Sequence, residues 1–233
     1  MRKSNASGKD EKIRLESPNL KYRETYLDAV AEFAERADPK NSTEAHYKKI
    51  TAENFDAMVA KRLREMTEPD EGRVPATTFW IMRGDRYVGR IQLRHNLNGG
   101  ILANYGGHIG YDIRPSERGR GHSKAALRLC LAEAKKIGLP EIFITCLDWN
   151  EPSHRTILGA VREYGGREAE PYADPETGGR FLRFWINTGK KRTLPKRPRE
   201  DRGPEGGARK KEPEAGRIAR VAARACNGVP AEK

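Results

Sequence analysis

The run Ile109-Gly-Tyr-Asp-Ile-Arg-Pro-Ser-Glu-Arg-Gly-Arg-Gly-His-Ser-Lys124 constrains the fold more than any other part of this 233-residue chain. An apolar strand ends at Arg114-Pro115, and a basic turn spaced by glycines then opens a long helix. Glycine lets the backbone of such a turn come close to a ligand, and the first N–H groups of a helix are unpaired at the positive end of its dipole. Arg118, Arg120 and Lys124 add formal charge beside them. The ligand that suits this arrangement is a phosphate or pyrophosphate.

Spacing narrows the choice of phosphate loop. A Walker loop needs four residues between its glycines and then Lys-Ser/Thr, which the chain from Gly119 onward does not supply. A dinucleotide fingerprint would require a third glycine where Lys124 stands. After the turn, Ala126, Leu129, Cys130, Ala134 and Ile137 recur at helical spacing, and Gly138 with Pro140 marks the stop. Ile142 to Leu147 is a largely apolar run, as expected of a strand buried on both faces, so strand, helix and strand read as a right-handed βαβ unit. Asn150-Glu-Pro-Ser153 opens the next helix, with Asn150 a favoured N-cap and Pro152 suited to the first turn.

Arg118, Gly121 and Ser123 fit the pattern Arg/Gln-x-x-Gly-x-Gly/Ala, with serine at the last small position. This resembles the acetyl-CoA pyrophosphate loop of the GNAT superfamily of N-acetyltransferases. Asn150 and Ser153 match the superfamily's pantetheine-contacting spacing, a role compatible with capping. The likeness extends over residues 12–187, to a group of bacterial predicted acetyltransferases sharing runs similar to Ile91–Leu97, Gly107–Tyr111 and Pro175–Gly178. The implied fold is mixed α/β, the GNAT acyl-CoA N-acyltransferase fold, with a βαβ acetyl-CoA-binding core and flanking helices. Lys12–Leu15, Thr78–Met82, Tyr87–Leu93 and Phe181–Ile186 supply its remaining strands, the last in a final strand pair. Tyr22, Tyr26, Val30, Phe33 and Ala34 form one helix stripe; Phe55, Met58, Val59, Leu63 and Met66 form another.

The resemblance implies direct transfer of an acetyl group from acetyl-CoA to an amine, on a small molecule or a protein, in a ternary complex. Its cofactor contacts fall on Ile113, Arg114, Arg118, Gly119, Arg120, Gly121, His122, Ser123, Asn150 and Ser153, the first two by main-chain pairing. An opened strand pair between 109–114 and 142–147 would hold the pantetheine arm, and a bulge within Tyr111–Ile113 would present the oxyanion donor. The amine must be deprotonated by a base that titrates near neutrality. Strand alternation puts His108 with Gly110 on the face opposite Ile109, Tyr111 and Ile113, which makes it the first candidate, and His95 is the second. The superfamily's usual tyrosine acid, seven residues past Asn150, is here Ile157; Tyr164, one helical turn past the usual end, stands in or is a core aromatic. The alternative is a non-catalytic protein that binds acyl-CoA or works through its tail. Homodimerisation is a family expectation.

Charge divides the chain. Residues 188–233 carry 14 basic and 6 acidic side chains, a net of +8 within the chain's +12. They lack an apolar run apart from 218–225 and read as a disordered basic tail, as residues 1–11 read as a disordered N-terminus. The tail suggests weak attraction to nucleic acid or an acidic partner, although it has no aromatic residue to stack on bases. Cys130, Cys146 and Cys226 form no C-x-x-C pair, so the expectation is a reducing compartment and no metal. No run reaches membrane length and no signal-peptide core opens the chain, which predicts a cytoplasmic protein without membrane contact.

Overall fold

The computed structural model describes residues 12–36 and 47–189. The predicted N-terminal segment 1–11, most of the loop 38–51, and the tail from 190 with Cys226 and its thinly apolar 214–226 stretch lie outside the described residues.

Two antiparallel sheets form the frame. Strands β1 (Ile13–Glu16), β2 (Ala76–Arg83), β3 (Arg86–Arg94) and β4 (Ile109–Ile113) lie in that order in the first. Period-2 alternation along β2 sends Trp80 and Met82 to one face and Ile81 to the other, so two cores form on one sheet. Helices α1 (Arg23–Glu35) and α2 (Phe55–Arg64) pack Tyr26, Phe33, Phe55 and Met58 against Trp80, Met82 and Tyr87. Tyr26 stacks on Trp80 at 4.8 Å between ring centroids. Of the predicted α2 stripe, Leu63, in the last turn of the helix, and Met66, beyond its end, are instead 46 % exposed.

Helices α3 (His122–Lys136) and α4 (Glu151–Tyr164) close the second core with Leu127, Cys130, Leu131, Ile157 and Ala160. Arg128 of α3 binds the Glu163 carboxylate of α4 at 2.6 Å, tying the two helices together. Strands β5 (Glu141–Leu147), β6 (Gly166–Ala173) and β7 (Arg180–Asn187) make the second sheet, ordered β5-β7-β6. The predicted βαβ unit is therefore not a pair of hydrogen-bonded neighbours: β4 and β5 are the facing edges of separate sheets. Just past β7 the chain stays packed against the loop before β5. Thr188 is buried, its N–H donates to Pro140 O at 3.0 Å, and its hydroxyl reaches Leu139 O at 2.5 Å.

Candidate active site

The split between the sheets starts from one joint. Gly107, at φ +63°, turns the chain so that His108 N–H donates to Phe143 O at 2.7 Å, and Phe143 N–H donates back to His108 Nδ1 at 2.8 Å. A Cβ on Gly107 would lie 2.8 Å from Phe143 O, so only glycine allows this approach. Arg94 Nη1 braces the turn by donating to the Gly106 and Gly107 carbonyls at 3.0 and 2.9 Å.

Beyond the joint no strand ladder joins β4 to β5 among the described residues. His108 O and Arg114 N–H bond to β3, which fixes the parity of β4 and turns the main-chain groups of Ile109, Tyr111 and Ile113 into the split. An edge of this kind pairs with an extended ligand that carries amides. The predicted bulge in β4 is absent: its register against β3 runs unbroken from Leu93↔Ile109 to Gly89↔Ile113, and the shift in this sheet lies at Ile81/Met82. Arg114 likewise has no main-chain group to offer, since its N–H donates to Val88 O and its carbonyl accepts from Glu117 N–H. Its guanidinium binds the Glu32 carboxylate.

At the mouth of the split, Gly119 and Gly121 adopt φ +75° and +79°, and a Cβ on either would meet nothing within 4 Å. The space in front of α3 is thus open, and no side chain caps the helix. Arg118 Nε donates to Ile113 O at 3.0 Å, at the edge of the split. Glu117, 3 % exposed, organises the charge behind the turn. Its carboxylate meets Arg86 Nε at 3.0 Å, His122 Nε2 at 3.2 Å, Arg83 Nη2 at 3.3 Å and Arg120 Nη1 at 3.5 Å. Burial alone would push this carboxyl up, but His122 and the three arginines outweigh it and hold it below its usual range. Glu32 of α1 secures the same turn by accepting from Ser116 N–H at 2.5 Å. Sequence reasoning passed over Glu32 and Glu117; the signal for the second was a lone acid inside a basic run.

Asn150 caps α4, its Oδ1 accepting from Ser153 N–H at 3.2 Å. Ser153 Oγ lies 2.9 Å from Tyr111 Oη, and Ser123 Oγ lies 3.3 Å from Thr156 Oγ1, so hydroxyls link β4, α4 and the start of α3. At the end of β5, Tyr105 stacks on Phe181 at 4.6 Å and Tyr172 at 5.6 Å, which packs the 97–105 loop over the second sheet.

Three predicted catalytic residues fall differently from expectation. His108 does not face an open side: its ring is buried, and a neutral ring that accepts at Nδ1 carries its proton on Nε2, leaving no lone pair for a substrate. Tyr164 is a buried core residue at the far end of α4, 14 residues from Asn150 and hence about 20 Å along the helix, too far to serve a group held at its start. His95 sits past the end of β3, with Nε2 2.8 Å from Thr77 Oγ1, one strand removed from the split.

Burial pushes the His108 imidazole below its ordinary value, with the Arg94 cation adding to the effect. The unfolded chain therefore binds this proton more readily. The stabilisation is present above the unfolded value, about 6.5, and is lost as pH falls from there toward the folded one. Protonation also removes the acceptor for Phe143 N–H. Urea denaturation between pH 5 and pH 8, run on wild type and His108→Gln, should show the variant less stable at pH 8 by about 1–3 kcal/mol, with a shallower loss toward acid. An unchanged pH slope would show that the joint does not titrate.

A glycine-lined helix N-terminus thus lies beside two sheets that part from a single joint. The acetyltransferase (GNAT) domain family matches residues 20–159, more than half of the chain, and the protein belongs to that family. No curated protein matches it. Among solved structures it is similar to the RimL ribosomal L7/L12 alpha-N-protein acetyltransferase with coenzyme A, at TM-score 0.56, 12 % identity, and 75 % of this chain against 93 % of that one. Mycobacterium smegmatis RimJ with CoA-disulfide gives 0.55, 18 %, 75 % and 81 %. The microcin C7 self-immunity acetyltransferase MccE with acetyl-CoA and AMP gives 0.52, 18 %, 77 % and 93 %. These likenesses establish the shared fold. Among the described residues, no cluster of His, Cys, Asp or Glu is arranged to hold a metal ion, and no helix is long and apolar enough to cross a membrane.

Proposed function

We propose that this protein is an N-acetyltransferase that moves an acetyl group from acetyl-CoA to an amine. One observation carries the reading: the inner edge of β4, which among the described residues forms no ladder with β5 beyond His108, leads directly to the open, glycine-lined start of α3. An extended amide chain ending in a pyrophosphate has this sequence of demands, and the residues fit them. Ile113 and Tyr111 would pair with the pantetheine arm. Gly119, Gly121 and the first N–H groups of α3, from His122 and Ser123, would cradle the pyrophosphate, with Arg118 and Arg120 supplying charge and Asn150 and Ser153 lining the far wall. When bound, acetyl-CoA supplies the activated acetyl group.

The chain's own groups then divide the chemistry. A main-chain N–H of Tyr111 or Ile113, fixed in a regular strand, is preorganised to stabilise charge developing on the acyl oxygen. Of the two histidine candidates, His95 is the one whose Nδ1 has no partner among the described residues. It is half-buried, pushed below its ordinary value by burial, and held by Nε2 at Thr77, so a base role for it requires the acceptor to reach past β3. Support for a protein acceptor comes from the similarity in fold to a ribosomal L7/L12 alpha-N-protein acetyltransferase. The test is calorimetric titration with acetyl-CoA, followed by thiol-release assays across small amines and peptides with free N-termini. Absence of heat with acetyl-CoA would sink the reading.

A further inference from the structure

We propose that the acceptor carries a carboxylate close to its amine, and that Arg183 holds that carboxylate. This rests on the acetyl-CoA reading above. With the pyrophosphate at the start of α3, past the C-terminal end of β4, an extended arm along β4 points its acyl end back toward Gly110 and the His108–Phe143 joint. One face of β4 is closed there, since Ile109, Tyr111 and Ile113 pack into the core shared with α3 and α4. The other face carries Gly110, which has no side chain, so an amine reaches the acyl carbon from that side.

The second sheet continues this open face. Leu182, Phe184 and Ile186 of β7 belong to the core beneath α4, so alternation turns Arg183 and Trp185 to the opposite side. The Trp185 ring lies 5.1 Å from the Phe143 ring and 6.5 Å from the His108 ring, so the open faces of the two sheets meet at the joint. Gly110 and Thr145 each stand two residues past that joint on their strands. Arg183 is the register partner of Thr145, and its guanidinium leans over Phe143, 5.3 Å from the ring centroid. A cation is thereby carried over the edge strand of the split, at the end where the acyl group would lie.

This cation has no anion of its own. The cross-strand neighbours of Arg183 are Thr145 and Ala169, and Phe181 and Trp185 flank it along its own face of β7, none of them acidic. The nearby Glu141 carboxylate is taken by Arg167, at 2.7 Å from Nη1 and 3.1 Å from Nη2. Asp112, further along the open face of β4, is matched by Arg90 at 2.7 Å. Arg183 makes no ion pair among the described residues, and its buried Nε has no hydrogen-bond acceptor. A donor left in that state is costly, and the residue is only half-buried, so an incoming carboxylate can reach the guanidinium fork and accept two parallel N–H bonds. Arg94 adds a fixed cation on the other wall: a Cβ on Gly110 would lie 4.0 Å from both of its Nη atoms, and its bonds to the Gly106 and Gly107 carbonyls keep it there. Positive charge on both sides of the entrance favours an acceptor with a carboxylate over its uncharged amide.

The experiment compares acceptors that differ in one charge. Thiol release from acetyl-CoA by the full chain is measured with glycine against glycinamide, and with Ala-Glu against Ala-Gln, both dipeptides amidated at the C-terminus. The first pair probes an α-carboxylate, the second an acidic residue after a free N-terminus. In wild type the carboxylate member of at least one pair is expected to show a kcat/KM about ten- to a hundredfold higher. Arg183→Gln should bring that ratio close to one, and Arg183→Lys should restore part of it. Arg180→Gln removes the same charge from the opposite face of β7 and should keep the wild-type ratio. Calorimetry with acetyl-CoA shows that each variant is folded. Turnover of neither carboxylate member, equal kcat/KM within both pairs, a ratio that survives Arg183→Gln, or one lost equally in Arg180→Gln would overturn the proposal and leave the acetyl-CoA reading intact. Failure of wild type itself to bind acetyl-CoA would overturn the reading and this inference with it.

Discussion

Gly121→Val is expected to abolish acetyl-CoA binding, lowering affinity at least a hundredfold in a calorimetric titration, while the protein stays folded. The valine side chain would project into the space in front of α3, where a Cβ now meets nothing within 4 Å. That emptiness is what a pyrophosphate requires, and van der Waals overlap with the ligand leaves no room for compensation. Gly121 sits at φ +79°, so the substitution also carries backbone strain of about 1–2 kcal/mol. Gly138 separates the two effects. It lies at φ +85° past the other end of the same helix, and a Cβ there is also unopposed. Gly138→Val should lose similar stability and keep full affinity. Equal affinity in Gly121→Val and wild type would place the pyrophosphate elsewhere.

Gly107→Val should cost the most stability of any change at the site, about 3 kcal/mol, or a fall of about 6–12 °C in Tm for a chain of this size. Two costs combine. Positive φ at a β-branched residue is strained, and the new Cβ would stand 2.8 Å from Phe143 O and 3.3 Å from Ile144 Cα, both backbone atoms that cannot swing aside. The relief available is to part His108 from Phe143, which would open the joint between the sheets. Thermal unfolding followed by circular dichroism reads the loss directly. A Tm within 2 °C of wild type would show that the joint yields cheaply and that it does not set the width of the split.

The histidine result shows how local chemistry can point at the wrong role. His108 has the residue type and titration range of a base, and its place on β4 is where alternation put it. What alternation cannot report is that the ladder stops at this residue. Phe143 N–H lacks a carbonyl partner there, and an unpaired buried donor is costly, so the imidazole serves as a substitute acceptor. Tyr111 reads as core from its apolar strand face and packs against that core, while only the arrival of α4 gives its hydroxyl the partner Ser153.

Local pattern was enough for the elements whose two faces meet different surroundings. The apolar runs of β2, β3 and β7 mark strands with buried residues, whereas of the predicted α3 stripe Ala126, Cys130 and Ala134 are buried but Leu129 and Ile137 are exposed, and Leu127 and Leu131 take the core positions instead. The glycine turn is legible because positive φ before a helix restricts residue type at the positions themselves. β6 was expected only as half of a final pair, because most of its residues are exposed on both faces and write no alternation. The separation of β4 from β5 was expected on resemblance alone, since both strands carry apolar patterns that would equally suit a closed ladder. Whether two such edges bond or part depends on Gly107, Arg94 and Phe143, which meet only when the chain has folded. A sequence by itself fixes which surfaces a residue prefers, through hydrophobicity and allowed backbone angles. The tertiary structure decided which strand edges bond and which part, because the groups that set the joint meet only across the folded chain.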